Sequence, residues 1–270
     1  MSVLLRSDPR YPPRLLDLAA PPEPLWWEGD VTLLSREGIA IVGTRRMTPY
    51  GERVARELAT ACAVAGVVVV SGLAQGIDSA AHAASLDARG DTVAVLGEGL
   101  AAFDPHGRRR RICAAIRDRG CLVSQYEPLF PAQGWMFAKR NATIAALVRA
   151  VVVVEAPHGS GALITAADGL ALGRDVYAVP GPLGSAASAG SNELIASGRA
   201  RALTGPASLG LIDQRTLGLT APLTARDEVL ERLAAGPVSL DALRADADHL
   251  AELLLAGLVM QLPDGRIART

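Results

Sequence analysis

The chain lacks the features that mark membrane, secreted and zinc-binding proteins. Its apolar runs, such as 67–70 and 151–154, are far shorter than the roughly 20 residues that a membrane-spanning helix requires. The amino terminus has no apolar segment typical of a secretory signal peptide. Its three cysteines, an odd number without C-x-x-C spacing, indicate neither a disulfide framework nor a zinc site. We therefore expect a cytoplasmic protein with no membrane contact, metal or cofactor.

Lysine is almost absent, because Lys139 is the only lysine among 27 basic residues. The net charge of −1 favours no particular partner, but the charge is unevenly distributed. Residues 106–149 hold nine basic and two acidic side chains, a net charge of +7, which leaves −8 for the remainder. Compositional bias can explain arginine in place of lysine, but it does not explain the clustering. The clustering is typical of a surface that binds a polyanion.

The first apolar strand ends in a loop with too few glycines for a dinucleotide site. Residues 39–46 read IAIVGTRR, which lacks the G-x-G-x-x-G pattern that lets a backbone approach a pyrophosphate. The chain also has no G-x-x-x-x-G-K-[ST] motif, so we do not expect ATP hydrolysis by a P-loop. In an open α/β sheet, the loop after the first strand lies at the carboxyl edge, where ligands bind. Arg45 and Arg46 are therefore expected to hold an anion, either a nucleic-acid backbone or a nucleotide.

From residue 39 onward, short β-branched runs alternate with longer amphipathic segments. This alternation is typical of βαβ units around a parallel sheet. It predicts an α/β fold with a doubly wound, mostly parallel, Rossmann-like sheet. The predicted strands are 39–43, 67–71, 92–96, 121–124, 150–154 and 175–179, and the predicted helices are 49–65, 77–89, 107–119, 140–149 and 162–173.

Composition divides the chain into four predicted segments. Residues 1–38 are a proline-rich lead-in that carries two tryptophans and packs on the core. Residues 39–205 form the Rossmann-like domain, and residues 206–223, rich in glycine and proline, form a linker. In residues 224–270, helical patterns precede a hairpin with its turn at 263–265. That order predicts a small winged-helix-like domain.

The segment SGLAQGIDSAAH at 71–82 contains three residue types that could form a catalytic trio. Ser71 ends a predicted strand, and Asp78 and His82 lie four residues apart at the start of a predicted helix. However, the segment has no G-x-S-x-G elbow, and an aspartate near a helix start commonly acts as a cap. We favour a structural role for the three residues and expect no enzyme activity.

Glycines follow the predicted strands that end at residues 71 and 96. Gly72, Gly97 and Gly99 have no side chain, so a large ligand could approach the backbone there. We expect these glycines to form a floor for bases or for the sugar–phosphate chain.

The segment WMFAKRNATI at 135–144 joins aromatic rings to cations. Proteins bind single strands by stacking bases on aromatic rings beside a basic groove. Cations at a helix N-terminus oppose the helix dipole, so basic residues at the predicted helix start indicate a ligand. The predicted contacts in this segment are Phe137, Lys139, Arg140 and Asn141.

The segment EAPHGSGALITA at 155–166 follows the fifth predicted strand and begins a helix. Ser160 and Gly161 lie where free backbone N–H groups bind phosphate. His158 is interpreted as a polar loop residue.

Six segments together resemble the DNA-processing protein A (DprA/Smf) family: IAIVGTRRMTPYG, VVVVSGLAQGIDSAAH, TVAVLGEGL, FAKRNATIAAL, VVVVEAPHGSGALITA and GRDVYAVPGPLGSAASAGSNELIASGRA. The resemblance implies an extended Rossmann fold, single-stranded DNA binding and a homodimer formed through the Rossmann-like domain. It also implies that the protein protects incoming DNA and loads RecA during natural transformation, without catalytic activity. The DNA-contact residues that it implies are Gly43, Arg45, Phe137, Arg140, Asn141, Ser160, Gly161 and Thr165.

The chain departs from the family pattern at three positions. Gln75 stands where the family usually has arginine, and Ala138 and Ala142 interrupt the usual F-P-x-R-N-R run. Arg46 and Lys139 are the candidate replacements for the missing cations. The alternative function is a nucleotide-binding hydrolase of the lysine-decarboxylase-like Rossmann group, but residues 179–184 lack the P-G-G-x-G-T stretch of those enzymes.

Overall fold

The computed structural model describes residues 1–211, 228–233, 236–239, 250, 253, 259–262 and 264–269. The chain forms two compact units, Met1–Ile212 and Asp213–Thr270. The first unit is a nine-stranded sheet with helices on both faces. None of the helices in these described ranges is both long and apolar enough to cross a membrane.

The elements of the first unit alternate between strand and helix from β3 onward. Its strands are β1 (Ser2–Leu4), β2 (Leu25–Gly29), β3 (Gly38–Val42), β4 (Val68–Ser71), β5 (Thr92–Leu96), β6 (Cys121–Ser124), β7 (Ala150–Val153), β8 (Asp175–Ala178) and β9 (Arg201–Ala202). Its α-helices are α1 (Pro49–Val64), α2 (Ile77–Asp87), α3 (Gly107–Arg119), α4 (Gly134–Leu147), α5 (Gly161–Ala171) and α6 (Ala189–Ala196). Short 3₁₀ turns cover Pro13–Asp17, Val31–Ser35, Ala186–Ser188 and Pro206–Leu209.

The strand order creates a switch point in the middle of the sheet. The order is β1-β2-β6-β5-β4-β3-β7-β8-β9, and every neighbouring pair from β6 to β9 is parallel. The chain first builds outward from β3 to β6 and then returns to the other side of β3 with β7. The loops after β3 and β7 therefore diverge at the carboxyl edge, which is where open α/β sheets bind ligands.

Strand β3 lies in the centre of the sheet and is buried on both faces. Because successive side chains of a strand point to opposite faces, its residues divide between two cores. Ile39 and Ile41 belong to the buried cluster formed with α1 and α2, whereas Ala40 and Val42 belong to the cluster formed with α4 and α5. Near-continuous apolar runs are expected in such doubly covered parallel strands.

The six strands predicted from residue 39 onward are confirmed within one residue at each end. The lead-in, in contrast, is part of the sheet rather than a separate layer on it. Strand β2 pairs antiparallel with β6, with Trp27 opposite Val123, and β1 pairs antiparallel with β2. These edge strands escaped prediction because short strands form through pairing with a neighbour more than through local propensity.

Helix α4 begins at Gly134, earlier than the predicted start at residue 140, and ends at Leu147. No side chain caps its first turn, so the usual start signal is missing from the sequence. Lys139 and Arg140 therefore lie beyond the first helical turn. The dipole argument for a ligand at these two cations does not apply.

The second unit contains helix α7 (Glu228–Leu233) and a hairpin of β10 (Val259–Gln261) and β11 (Ile267–Arg269). The predicted hairpin is thus confirmed, with Val229, Leu253 and Ile267 in one buried cluster. Most of the predicted linker and the remaining predicted helices lie outside the described residues, so the winged-helix-like architecture stays a prediction.

Candidate nucleic-acid interface

A cavity of about 380 Å³ opens at the switch point of the sheet, between the loops after β3 and β7 and helix α4. Nine of the thirteen sequence-predicted contact residues line it, although they come from three distant parts of the chain. These nine are Gly43, Arg45, Arg46, Phe137, Arg140, Asn141, Ser160, Gly161 and Thr165.

The loop after β3 presents two arginines at the rim of the cavity. The buried Thr44 anchors the loop, since its backbone N–H donates to the Glu155 carbonyl at 2.7 Å and its hydroxyl accepts from the Arg46 N–H at 3.2 Å. Arg45 and Arg46 are both exposed. The structure thus offers two cationic groups at the sheet edge, as the sequence predicted.

At the N-terminus of α1, beside this loop, the site where an anion could bind is occupied by a carboxylate of the protein itself. The buried Glu155 carboxylate accepts hydrogen bonds from the Thr48 hydroxyl and from the Thr48 backbone N–H at 2.9 Å. A side chain at Gly51 would collide with this carboxylate, with its Cβ 2.2 Å from Oε2. The positive end of the α1 dipole is therefore neutralised internally. Sequence analysis did not assign this role to Glu155.

Helix α4 turns one face toward the cavity. Phe137, Arg140 and Asn141 line the cavity together because residues three and four apart share a helix face. The guanidinium carbon of Arg45 lies 5.7 Å from the centroid of the Phe137 ring, and that of Arg140 lies 6.0 Å from it. Lys139, only two residues after Phe137, is exposed and does not line the cavity. Its predicted DNA contact is thus not part of this cluster.

Arg140 is buried and tied to the protein's own backbone. Its side chain is almost fully enclosed, at 5% exposure. One terminal nitrogen donates to the carbonyls of Gly72 at 2.9 Å and Val95 at 2.6 Å, and Nε donates to Oδ1 of Asn141 at 3.2 Å. The Nε and Nη1 donors of Arg140 are thus engaged inside the fold, so we expect it to serve the fold, and its predicted contact with phosphate stays a prediction.

Asp78 is the acidic counterpart of Arg140. Its carboxylate accepts from the Gly72 backbone N–H at 3.1 Å and is buried. Burial raises the pKa of Asp78, and the charge of Arg140 acts in the opposite direction. Burial lowers the pKa of Arg140 in turn, while Asp78 opposes that change. The two groups, which both line the cavity, partly offset each other's charge.

The glycines of the predicted floor pack closely against protein groups, and Gly72 and Gly97 also line a second, adjoining cavity, so their contact with a ligand stays a prediction. A Cβ at Gly72 would lie 2.5 Å from the Arg140 guanidinium, and one at Gly97 would lie 2.5 Å from the Phe137 ring. A Cβ at Gly99 would meet the Glu127 carbonyl at 2.1 Å. Their lack of a side chain is thus explained by close internal packing.

The loop after β7 forms the opposite wall and ends at the N-terminus of α5. The Ser160 hydroxyl caps this helix by accepting from the Ala162 N–H at 3.4 Å. Asn141 Nδ2 donates to the Gly161 carbonyl at 3.1 Å and so fixes α4 to this loop. Gly161 is exposed, and the buried Thr165 lines the cavity one turn further along the helix.

Ser71, Asp78 and His82 do not form a catalytic relay. The Ser71 hydroxyl donates to the Ile41 carbonyl at 2.7 Å, while Nδ1 of His82 bonds the Thr92 hydroxyl at 2.7 Å. Burial lowers the pKa of His82 to about 3, so the imidazole is neutral. The structural interpretation of these residues is favoured. In the described part of the chain, no group of three or more acidic, histidine or cysteine side chains could hold a metal ion.

Several cations of the 106–149 cluster are paired within the protein. Arg117 pairs with Glu28 and Arg149 with Glu37, whereas Arg108 lies 3.4 Å from Glu52. Three of the nine basic side chains in that segment are thus partly neutralised, and Arg45 and Arg46 provide exposed charge at the cavity.

Sequence comparison assigns the chain to a family. The profile of the family described as DNA recombination-mediator protein A matches residues 2–210. The chain belongs to this family. It is similar to Protein Smf of Escherichia coli, with 40% identity over 188 residues that cover 70% of this chain and 50% of that protein. It is also similar to a putative DNA processing protein DprA of Mycobacterium tuberculosis, with 47% identity over 176 residues, 64% of this chain and 45% of that protein. The chain thus spans about half the length of these curated relatives.

Solved structures of family members share the fold. The X-ray structure of DprA from Streptococcus pneumoniae has a TM-score of 0.72 and 34% identity, covering 77% of this chain and 72% of that chain. DNA processing protein A from Helicobacter pylori, whose structure was described for its single-stranded DNA binding mode, has a TM-score of 0.70 and 29% identity. That match covers 77% of this chain and 93% of the other. The α/β, Rossmann-like fold predicted from sequence is therefore confirmed for the first unit.

Proposed function

We propose that this member of the DNA recombination-mediator protein A family binds single-stranded DNA in the cavity at its sheet switch point. One observation carries the proposal. Two exposed arginines, Arg45 and Arg46, stand beside an aromatic ring and a helix N-terminus in one cavity. The Helicobacter pylori relative with a described single-stranded DNA binding mode supports the same ligand.

In the proposed binding mode, positively charged groups contact the phosphates of the strand and an aromatic ring contacts a base. Arg45 and Arg46 contact phosphate groups, since guanidinium forks match phosphate oxygens. The N-terminus of α5 at Ser160 and Gly161 donates backbone N–H groups to a further phosphate. Phe137 offers an aromatic surface to a base, and a duplex binds less well because its paired bases cannot reach that ring. Arg140 acts as a positioning residue for Phe137 and Asn141.

The proposal extends to recombination. The protein protects incoming single strands and loads RecA onto them during natural transformation. It acts in the cytoplasm as a homodimer formed through the Rossmann-like unit, and it has no enzymatic activity of its own. The family description as a recombination mediator supports this extension. RecA-dependent ATP hydrolysis on single strands coated with single-strand-binding protein tests it, since a loader shortens the lag before hydrolysis. Sedimentation equilibrium tests the dimer.

A titration of the full chain tests DNA binding. Fluorescence anisotropy compares a labelled single strand, the corresponding duplex and AMP at moderate salt. Arg45→Ala is expected to weaken single-strand binding by roughly 10- to 100-fold, because a charge-assisted hydrogen bond contributes about 1.5–3 kcal/mol.

The matched control is Arg119→Ala, which removes an exposed arginine from the carboxyl end of α3. That helix end precedes β6 and so lies at the opposite edge of the sheet. The control should leave affinity unchanged. Equal losses in both variants would contradict the assigned site, and tighter binding of AMP than of DNA would favour the nucleotide hydrolase instead.

A further inference from the structure

A second cavity, of about 210 Å³, adjoins the first at the same sheet edge. The two share Arg45 and Phe137 among their lining residues, so a strand bound in the first cavity can continue into the second. Each cavity has one acidic lining residue, but Glu98 in the second is partly exposed, whereas Asp78 in the first is buried.

The Glu98 carboxylate is available for a ligand. The residue follows β5 and is partly exposed, and its backbone carbonyl accepts from the Ser124 hydroxyl at 2.7 Å. Its carboxylate makes no hydrogen bond or ion pair with any residue described by the structure. Partial burial raises the pKa of Glu98, and Arg109 and Arg140 oppose that rise.

Arg109 supplies a fixed donor in the same cavity. Its guanidinium carbon lies 5.3 Å from the centroid of the Phe103 ring, and Nε donates to the Leu73 carbonyl at 3.0 Å. These two contacts use one N–H and one face of the guanidinium group. Its terminal nitrogens are the remaining donors. Gln75 also lines this cavity and adds an uncharged amide.

This combination suits a base better than a phosphate. A carboxylate repels phosphate, whereas the edges of bases carry both donors and acceptors. Guanine offers two adjacent N–H donors to a carboxylate and offers its O6 and N7 acceptors to arginine. Thymine has a single N–H, and it lies between two carbonyl groups. A carboxylate repels the oxygens of those carbonyl groups, so thymine is the poorer ligand.

We propose that the second cavity holds one unstacked base of the bound strand, that Glu98 accepts and Arg109 donates hydrogen bonds to it, and that guanine is preferred. This inference rests on the proposed single-stranded DNA binding and names the base chemistry of the adjoining cavity.

Base-substituted oligonucleotides test the preference with the full chain. The probes are oligothymidylates of about 20 nucleotides, either unsubstituted or carrying isolated dG, dA or dC residues spaced to prevent quadruplex formation. The native protein should bind the dG-containing strand roughly tenfold more tightly than the unsubstituted one, because a good bidentate base contact discriminates by about that factor or more.

Glu98→Gln should abolish this preference, because the neutral amide binds guanine less well than a carboxylate does and no longer repels the carbonyl groups of thymine. Glu127→Gln is the matched control, since Glu127 is an exposed carboxylate that lines neither cavity. It should keep the preference for dG.

The outcomes separate this inference from the proposed function. Equal affinity of the native protein for all probes, or an unchanged dG preference in Glu98→Gln, would overturn the base site but leave DNA binding intact. Absence of binding to every strand would overturn both. Weaker binding of Arg45→Ala to every probe, with the dG preference unchanged, would support both.

Discussion

Replacing Arg140 by methionine should destabilise the Rossmann-like unit without removing a DNA phosphate contact. Methionine roughly preserves the length of the side chain but has no hydrogen-bond donor. The buried carbonyls of Gly72 and Val95 would lose their shared donor, and Asp78 would lose the charge that offsets its burial. The substitution therefore tests whether this arginine serves the fold or the ligand.

The expected loss of stability follows from these contacts. A buried acceptor left without a partner costs roughly 1–3 kcal/mol. Two such acceptors are affected, the carbonyls of Gly72 and Val95, and Asp78 also loses a nearby opposite charge. These costs overlap because they arise in one network. We expect the free energy of unfolding to fall by about 3–5 kcal/mol, a large share of the roughly 5–15 kcal/mol typical of native proteins.

Urea unfolding followed by tryptophan fluorescence measures this change. Arg119→Ala, at an exposed position, should change the free energy of unfolding by less than about 0.5 kcal/mol. Arg140→Lys, which keeps the charge but not the planar fork, should lose less than Arg140→Met.

The salt dependence of DNA binding supplies the second measurement. In conditions where Arg140→Met is folded, the slope of log affinity against log salt should equal that of the native protein. Arg45→Ala should flatten the slope by about one unit. An Arg140→Met variant of native stability with a slope reduced by one unit would refute this reasoning and return Arg140 to the phosphate contacts.

Two further predictions concern acid stability and the second unit. Below its ordinary pKa of 6.5, His82 binds a proton only when the chain unfolds, because its folded pKa is about 3. Stability should therefore fall as the pH decreases from 6.5, by about 2 kcal/mol at pH 5, and urea titrations should show a weaker decline in His82→Asn. Residues 213–270 carry nine acidic and six basic side chains, and their net charge of −3 repels phosphate. Removing them should therefore leave a folded core with at most a modest loss of DNA affinity in the same anisotropy assay. A core that lost nearly all binding would contradict the assignment of the site to the first unit.

Local pattern was sufficient for the central part of the fold. The alternation of apolar runs and amphipathic segments predicted the parallel strands because each strand needs a continuous buried run and each helix a 3.6-residue stripe. The same alternation predicted where strands end, and thus that Arg45 and Arg46 lie at the ligand-binding edge. A strand-to-loop boundary is a property of neighbouring residues, so the sequence alone could reveal it.

Local sequence patterns did not predict the features that depend on contacts between residues distant in the chain. Strands β1 and β2 exist because β6 offers a free edge to pair with. Arg140 has the residue type of a phosphate ligand, but its acceptors at Gly72 and Val95 lie 68 and 45 residues away in the chain. No local signal indicates that those carbonyls will face it.

The sequence by itself thus determined the parallel α/β sheet, its ligand edge and the two cations exposed there. Only the tertiary structure decided which polar groups remain available to a ligand. It directed Arg140 and Glu155 inward, filled the space beside Gly72 and Gly97 with protein groups, and left Glu98 without a partner among the described residues. The physical reason is that burial and hydrogen-bond satisfaction depend on which elements pack together, whereas strand and helix patterns depend on adjacent residues.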